Sequence, residues 1–370
     1  MIYLDNSATT FPKPECVYEI IDKTSRNAFN AGRGAYNQSK DALKTIDNAR
    51  IEIASFVNAN PSKVIFTSSA TEALNTIING IGIKDGDNVY VTPFEHNAII
   101  RTLNAKKANI NIIPFDKKDW KVDIHKLNDM FAIRKPKAVF VSQISNVTGF
   151  EPDYGIIFEH SVRYNAINVL DAAQGYGIVP IHTNNVNYVV FAGHKSLYGS
   201  FGVGGFVKLS NDNLIPYMYG GTGSDSLNPN MPENCPEKYE AGSHNIVAIS
   251  ALLEGAKWIK KENIEENERE ITNYLVKKLR KNNKIKLFIP YNDNVIGIVS
   301  LAIKGYDSDD VAAILAEDFD ICVRSGYHCA PYVHDFIGSK EYKGTVRVSV
   351  SAFTKKEEID SLVKALEEIA

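Results

Sequence analysis

Short apolar runs alternate with helical patterns between about residues 60 and 210 of the chain. Each run is bounded by turn-forming residues, which is typical of a buried strand. The predicted strands are Val64–Thr67, Asn88–Thr92, Ile110–Pro114, Ala138–Ser142, Ile167–Asp171, Tyr188–Ala192 and Gly205–Leu209. Because parallel strands need long crossovers and are then covered on both faces, this alternation predicts an α/β fold with a mostly parallel sheet.

The pattern changes after residue 210. Residues 210–245 are rich in Gly, Pro and Asn and predict a long loop, a kind of segment that is usually functional or disordered. A helical region over about residues 246–282 follows. The rest alternates strands with a helix from Ser308 and a final helix, for which Thr354 and Glu357 form a candidate capping box. The predicted strands of this part are Val295–Ile303 and Thr345–Ser349.

This change in pattern divides the chain into two predicted domains. The first is a large α/β domain over residues 1–255, and the second is a smaller C-terminal α+β domain over residues 256–370. Residues 1–14 are candidates to pack with the small domain, which also carries the loop around Cys329.

Composition and charge limit the classes of function. The chain has 370 residues, of which 44% are hydrophobic and 23% charged, as in ordinary soluble proteins. Its net charge of -3 gives no electrostatic reason to bind nucleic acid or an anionic membrane. We expect neither a signal peptide nor a membrane span, because the N-terminus lacks a basic leader and no apolar run approaches about 20 residues. The four cysteines are far apart, which argues against disulfides or a zinc site and predicts a cytoplasmic protein.

Polar residues follow several predicted strands, at the sheet edge where parallel α/β folds bind ligands. The turn Thr67–Glu72 opens a helix and suits a phosphate, although such turns are more often plain helix caps. Asp171 follows a buried strand and needs a positive partner, which is a salt bridge, a helix terminus or a protonated ring nitrogen. Lys195 follows the next strand and would bind a cofactor only with a lowered pKa.

These motifs resemble the class V aminotransferase family of pyridoxal phosphate (PLP) enzymes of fold type I, with the cysteine desulfurases as the nearest branch. The resemblance starts from Asp171-x-x-Gln174 and the later Gly193-His194-Lys195. Further matches follow in family order along nearly the whole chain, at Tyr3–Thr10, Ala70–Glu72, Glu95-His96, Ser145–Gly149, Tyr239–Ser243 and Arg324–Cys329. The resemblance implies a large PLP-binding domain, a smaller C-terminal domain and a homodimer with shared active sites.

The resemblance also implies how the cofactor is held. Lys195 would carry PLP as a Schiff base and transfer protons, while Asp171 would keep the ring nitrogen protonated. Gln174 would donate to the ring oxygen, and His96 would stack on the ring and take part in catalysis as a proton-transfer group. The phosphate would be held by Ala70, Thr71 and His194, with Ser243 reaching the phosphate of the partner subunit.

Substrate binding and sulfur chemistry are implied in the same way. The positions that match the family's substrate-carboxylate site are Asn146, Arg324 and Arg347, and arginine suits this role because its planar fork meets a carboxylate in two hydrogen bonds. Cys329 resembles the desulfurase nucleophile, whose thiolate attacks the sulfur of a PLP-bound cysteine to give a persulfide and alanine. Arg324 and His328 are candidate cationic neighbours of this thiolate.

Residue type alone leaves two other interpretations of the role of Cys329. One is a buried small hydrophobe, which is the commonest role of a single cysteine. The other is a metal ligand with His328 and His334, but no fourth ligand stands at a recognisable spacing. The chain also departs from the family at Ala192, where Ser or Thr is usual, at Lys238, near a common arginine, and at Tyr327, in place of a frequent histidine.

The expected function is therefore a PLP-dependent cysteine desulfurase, a sulfurtransferase that acts on L-cysteine. Its persulfide sulfur would go to iron–sulfur cluster assembly or another sulfur-transfer pathway, through an acceptor protein. One alternative is a selenocysteine lyase or a lyase for another β-substituted amino acid. A second is an aminotransferase or epimerase that does not use Cys329. A non-enzymatic scaffold would require loss of cofactor residues such as Lys195 and Asp171, which are both present.

Overall fold

A computed structural model describes residues 1–31, 34–223 and 226–370 of the chain. The strands of this described part are β1 (Ile2–Tyr3), β2 (Val64–Thr67), β3 (Asn88–Val91), β4 (Asn109–Ile112), β5 (Ala138–Ser142), β6 (Ile167–Asp171), β7 (Tyr188–Ala192), β8 (Gly204–Lys208), β9 (Ile285–Leu287), β10 (Ile298–Ile303), β11 (Ile321–Cys322) and β12 (Val346–Ser349). Its α-helices are α1 (Glu15–Arg26), α2 (Asn37–Ser55), α3 (Ala70–Gly80), α4 (Asn97–Ala105), α5 (Ile124–Ile133), α6 (Tyr154–Ser161), α7 (Ile246–Ile259), α8 (Ile264–Leu279), α9 (Ser308–Phe319), α10 (Val333–Ile337) and α11 (Lys356–Ile369).

The central sheet has seven strands in the order β2-β8-β7-β6-β5-β3-β4. The pairs from β7 to β4 are parallel, and only β8 runs antiparallel to its two neighbours. The predicted mostly parallel α/β sheet is thus confirmed. The predicted strand ending at Thr92 stops one residue earlier, at Val91, and the Thr92 hydroxyl donates a hydrogen bond to the Glu95 side chain at 2.6 Å.

The central strands are buried on both faces. Along β5, Val139 and Val141 pack into one hydrophobic cluster, while Ala138 and Phe140 pack into the cluster on the other face. Because side chains alternate between the faces of a strand, a sheet covered on both sides reads as a continuous apolar run. This explains why unbroken apolar runs predicted these strands correctly.

A second, three-stranded sheet of order β12-β10-β9 forms a smaller unit with α8, α9 and α11. A separate hydrophobic cluster fills this unit and includes Leu4 from the N-terminal segment. Strand β1 pairs in parallel with β11 of the same unit. The predicted boundary between residues 255 and 256 falls inside α7, whose Leu252 and Ile259 join a cluster of the large sheet. The division into domains stays a prediction.

The predicted capping box of the last helix is wrong by one residue. Helix α11 begins at Lys356, and the Glu358 side chain accepts a hydrogen bond from the backbone N–H of Lys355 at 2.8 Å. The Thr354 hydroxyl instead accepts from the backbone N–H of Ser351 at 2.9 Å, which closes the preceding turn. Within the described ranges, no helix has the length and apolar character to cross a membrane.

Candidate active site

The strand ends of the large sheet meet at a cavity of about 90 Å³. Strands β2, β5, β6 and β7 all point their carboxyl ends to this edge, as ligand sites in such sheets require. The walls of the cavity bring together eight of the predicted site residues, which are Ala70, Thr71, His96, Asn146, Asp171, Gln174, His194 and Lys195.

Lys195 follows the end of β7 and lines this cavity. Burial lowers its pKa to about 8, while the charge of Asp171 and, more weakly, that of Cys329 oppose the shift. A lysine with a depressed pKa is partly neutral near physiological pH, which is the form that can attack a carbonyl group. Its environment therefore meets the condition for a cofactor-binding amine.

Asp171 ends β6 and is 7% exposed. Its Oδ1 accepts a hydrogen bond from the Ala173 backbone N–H at 3.0 Å, and burial raises the pKa of its carboxyl group. No ion pair to Asp171 occurs among the described residues. A buried carboxylate in this state is stabilised by a cation placed in the cavity.

Glu95 links the strand ends near Asp171 to His96, the residue that follows it in the chain. It is fully buried and accepts hydrogen bonds from the Thr92 hydroxyl at 2.6 Å and from the Ser142 backbone N–H and hydroxyl, each at 2.8 Å. Burial raises the pKa of Glu95 to about 8, against these hydrogen bonds. Because Ser142 pairs with Asp171 in the sheet, Glu95 fixes the position of the following residue, His96, relative to Asp171.

His96 caps the N-terminus of α4. Its Nδ1 accepts a hydrogen bond from the Ala98 backbone N–H at 3.1 Å, so Nε2 carries the ring proton in the neutral form. Burial, followed by the charges of Lys195, Arg324 and other cations, lowers the pKa of His96 to about 4. The imidazole is therefore neutral at physiological pH.

The turn before α3 forms another end of the cavity. Ser69 caps this helix with a 3.2 Å hydrogen bond from the Glu72 backbone N–H to its hydroxyl, and the N–H groups of the first turn have no partner within the helix. A side chain at Gly204 would lie 2.6 Å from the Ala70 nitrogen, so glycine is required for this close approach. Across the cavity, His194 Nδ1 is buried without a hydrogen-bond partner.

Arg347 lies on β12, next to Asn146, and is 2% exposed. Its guanidinium is paired with Asp5 at 2.7 Å and donates to the Asn146 carbonyl oxygen at 2.8 Å. Its Nε is buried and has no partner. The second predicted arginine, Arg324, is exposed, and its backbone pairs with that of Arg347.

Cys329 is exposed and lies in an open basin of about 790 Å³. The charged residues that line this basin are all basic, namely Arg101, Arg324 and Lys340. Asn146 links the basin to the Lys195 cavity, because its side-chain amide donates to the His328 carbonyl oxygen at 2.8 Å. Asn146 therefore connects the cavity that Lys195 lines with the turn that carries Cys329.

Two residues that the sequence analysis singled out, Ser243 and Lys238, do not line the Lys195 cavity, and a third, Ala192, lines it without a hydroxyl group. Ser243 is exposed and lines a different cavity of about 280 Å³, next to a buried ion pair between Arg50 and Glu240. Ala192 does line the Lys195 cavity and contributes no hydroxyl group there. Lys238 is paired with Glu233 at 2.7 Å, away from this cavity.

Sequence reasoning missed the residues that hold the functional groups in place. Asp5, Glu95 and Asn97 belong to this set, and Asn97 donates its backbone N–H to the Cys329 carbonyl oxygen at 2.7 Å. Asp5 and Glu95 stood inside motifs that matched the family, which is the signal that could have marked them. Nothing in the sequence pairs Asn97 with Cys329, because the two are far apart along the chain.

The chain is similar to known proteins along nearly its whole length. The family model of the class V aminotransferases matches residues 2–362. A probable cysteine desulfurase of Methanothermobacter thermautotrophicus is 31% identical over 100% of this chain and 94% of its own length. A cysteine desulfurase of Wigglesworthia glossinidia brevipalpis is 31% identical over 99% of this chain and 92% of its own length.

A solved structure has the same fold. The apo structure of a cysteine desulfurase from Thermococcus onnurineus NA1 matches with a TM-score of 0.89 and 28% identity, over 100% of this chain and 94% of that one. The fold is therefore the α/β architecture of fold type I that the sequence predicted. On the match of the family model and of these relatives along the whole chain, this protein is a member of the class V aminotransferase family.

Proposed function

We propose that this chain is a PLP-dependent cysteine desulfurase, which converts L-cysteine to L-alanine and takes the sulfur onto Cys329 as a persulfide. The observation that carries the proposal is a half-buried Lys195, with a pKa of about 8, in a cavity whose Asn146 donates a hydrogen bond to the turn of the exposed Cys329. The names of the relatives support the same activity.

The groups around the Lys195 cavity fit PLP. Asp171 is a buried carboxylate that feels the charge of Lys195 but forms no ion pair in the described part of the chain, as expected of a group that faces a protonated ring nitrogen. His194 Nδ1 is buried and unpartnered, and His194 lines the same cavity as Thr71, which with the backbone N–H groups of the first turn of α3 would hold the phosphate. Lys195 would hold the cofactor covalently, and bound PLP would supply an electron sink for chemistry at the substrate carbon atoms.

Each remaining cavity residue has a role that its contacts support. Gln174 donates to the Ser7 carbonyl oxygen at 3.0 Å, which leaves its second amide N–H for the cofactor. Neutral His96 would lie against the ring. Arg347, whose Nε is unpartnered, would bind the substrate carboxylate with Asn146.

The sulfur step uses Cys329 as the nucleophile. Its thiolate attacks the sulfur of the substrate, the S–S bond forms and the bond between that sulfur and Cβ breaks. The electron pair of the broken bond stays on carbon, and Lys195 Nζ is suited to deliver the proton that completes the methyl group of alanine. No external oxidant or reductant is needed. Arg324, which shares the basin with Cys329, would stabilise the negative charge that moves through this step.

A homodimer completes the proposal. Ser243 is exposed on a wall that does not face the Lys195 of its own chain, which supports a role at the phosphate of the partner subunit. The four cysteines are all free, which agrees with a reducing, cytoplasmic compartment.

The sulfur acceptor would reach Cys329 through the basic basin. Arg101 and Arg324 have no ion-pair partner in the described ranges, so an acceptor with acidic side chains is favoured over a basic one. We expect Arg101→Glu to slow persulfide transfer to a cysteine peptide flanked by glutamates by about tenfold at low salt, because it reverses the charge of the basin. The measurement is transfer of ³⁵S from pre-loaded Cys329.

The matched control is Lys126→Glu, which makes the same charge change on the exposed face of α5. This control should transfer at the wild-type rate, and both variants should still form alanine from cysteine. Equal rates for the glutamate-flanked peptide and a lysine-flanked one would contradict the preference for an acidic acceptor.

Asp171→Asn tests the cofactor site. We expect the variant to bind PLP but to turn over cysteine about 10²-fold or more slowly, because the ring nitrogen loses the buried charge that keeps it protonated. The measurement is the rate of alanine formation at saturating PLP. Asp153→Asn, at the exposed N-terminus of α6, makes the same substitution outside the cavity and should keep full activity. Full activity of Asp171→Asn would overturn the assigned role.

The function itself is tested with purified protein, PLP and L-cysteine. Stoichiometric formation of alanine and of a persulfide on Cys329, identified by mass spectrometry, is the expected result. The relative turnover of cysteine and selenocysteine decides between a desulfurase and a selenocysteine lyase. Transfer of an amino group to a keto acid without persulfide formation would instead indicate an aminotransferase.

A further inference from the structure

The Cys329 turn is held in a conformation that its own residues disfavour. The Ala330 backbone N–H donates to the Tyr327 carbonyl oxygen at 3.1 Å, so residues 327–330 form a β-turn. Both central residues have left-handed φ angles, 45° at His328 and 56° at Cys329. Such turns are usually built from Gly, Asn or Asp, because a left-handed backbone brings the Cβ of any other residue too close to the following carbonyl oxygen. Contacts from outside the turn must therefore stabilise it.

Those contacts reach three consecutive carbonyl groups. The Tyr327 oxygen accepts from His334 Nε2 at 3.0 Å, and the His328 oxygen accepts from the Asn146 amide at 2.8 Å. The Cys329 oxygen accepts from the Asn97 backbone N–H at 2.7 Å. The side chain of His328 is itself buried, with Nε2 on the Thr345 carbonyl oxygen at 3.0 Å. Each peptide unit around the nucleophile is thus fixed from a different element.

His334 is the side-chain donor that the sulfur chemistry does not already use. It is 1% exposed on α10, and its Nδ1 lies 2.7 Å from the hydroxyl of Ser339, which is fully buried. Because Nε2 faces a carbonyl oxygen, it must carry the proton, and the Ser339 hydroxyl then donates to Nδ1. Burial lowers the pKa of His334, which keeps this neutral tautomer at physiological pH. Both ring nitrogens of His334 are therefore engaged in hydrogen bonds. In the described part of the chain, no group of three or more His, Cys, Asp or Glu side chains could hold a metal ion.

We propose that His334 is a positioning residue for Cys329: with Ser339 fixing its tautomer, it holds the Tyr327 carbonyl group and thereby the left-handed turn that presents the thiol to the substrate. Without this donor the turn can relax to ordinary negative φ angles, which redirects the Cys329 side chain. The inference rests on the proposed desulfurase function and adds a residue that touches neither substrate nor cofactor.

The test compares two substitutions of His334. In His334→Gln, the side-chain amide can still donate to the Tyr327 carbonyl group, whereas His334→Leu has a similar size and no donor. For His334→Leu we expect kcat for alanine formation to fall about 10- to 100-fold with little change in KM, because the nucleophile is misplaced while the substrate site is intact. His334→Gln should recover most of this loss. Both variants should load PLP like the wild type.

Hydrogen exchange gives a readout that does not depend on activity. In His334→Leu, the Ala330 backbone N–H should exchange about 5- to 10-fold faster, since the turn loses one hydrogen bond. Ser339→Ala provides a second variant if His334→Leu does not fold, and it should show a smaller fall in kcat because the tautomer is no longer fixed. A wild-type kcat in both His334→Leu and Ser339→Ala would overturn the role of His334. Equal losses of kcat in His334→Gln and His334→Leu, with unchanged exchange of the Ala330 N–H, would overturn it as well. If the wild-type protein makes no alanine, the proposed function fails, while the exchange series still decides whether His334 holds the turn.

Discussion

Cys329→Ser is expected to abolish persulfide formation and to lower sulfide release from L-cysteine by about 10³-fold or more. A serine hydroxyl is not ionised near neutral pH and is a poor nucleophile toward sulfur, whereas a thiolate is a strong one. The substitution changes one atom of an exposed side chain, so the fold and the Lys195 cavity should not be disturbed. The measurement is sulfide and alanine production with a reductant present.

Cys16→Ser is the matched control for this experiment. Cys16 is a half-buried residue of α1, remote from the basin, and its substitution should leave the rate unchanged. Alanine production that survives in Cys329→Ser would keep a PLP enzyme of this fold but move the activity to a lyase or an aminotransferase that does not use Cys329.

Lys195→Arg is the second substitution with a large expected effect. Wild-type protein with PLP should show an absorption band at about 420 nm from the lysine-bound cofactor, and the variant should lack it. A guanidinium stays protonated at all accessible pH values and cannot bind the cofactor covalently or exchange protons with the substrate. Cysteine turnover should therefore fall by about 10³-fold or more.

A buried lysine outside the Lys195 cavity provides the control for this change. Lys208 ends β8, is 4% exposed and is paired with Asp212 at 2.9 Å, so that Lys208→Arg keeps a charged partner. Its absorption band and activity should match those of the wild type. A normal band in Lys195→Arg would exclude Lys195 as the attachment point.

The candidate residues near the strand ends were predictable because they follow apolar runs. Asp171 and Lys195 each come directly after a buried strand, and neighbouring parallel strands bring their carboxyl ends to one edge. This logic does not extend to the arginines, which were assigned from the family resemblance alone. Arg324 and Arg347 both belong to the small unit, and only the fold shows that Arg347 is buried beside Asn146 while Arg324 is exposed.

The sequence by itself determined the α/β class and the strands of the large sheet, because burial on both faces of a sheet and turn chemistry are local patterns, and its motifs marked the candidate site residues. Only the tertiary structure decided how those residues are held. The pairing of Arg347 with Asp5 and the contact of Asn97 with Cys329 join segments that are hundreds of residues apart. The same holds for the left-handed turn at Cys329, whose residue types would not predict it. Its conformation depends on hydrogen-bond donors from three other elements, and such long-range contacts leave no periodic signal in the chain.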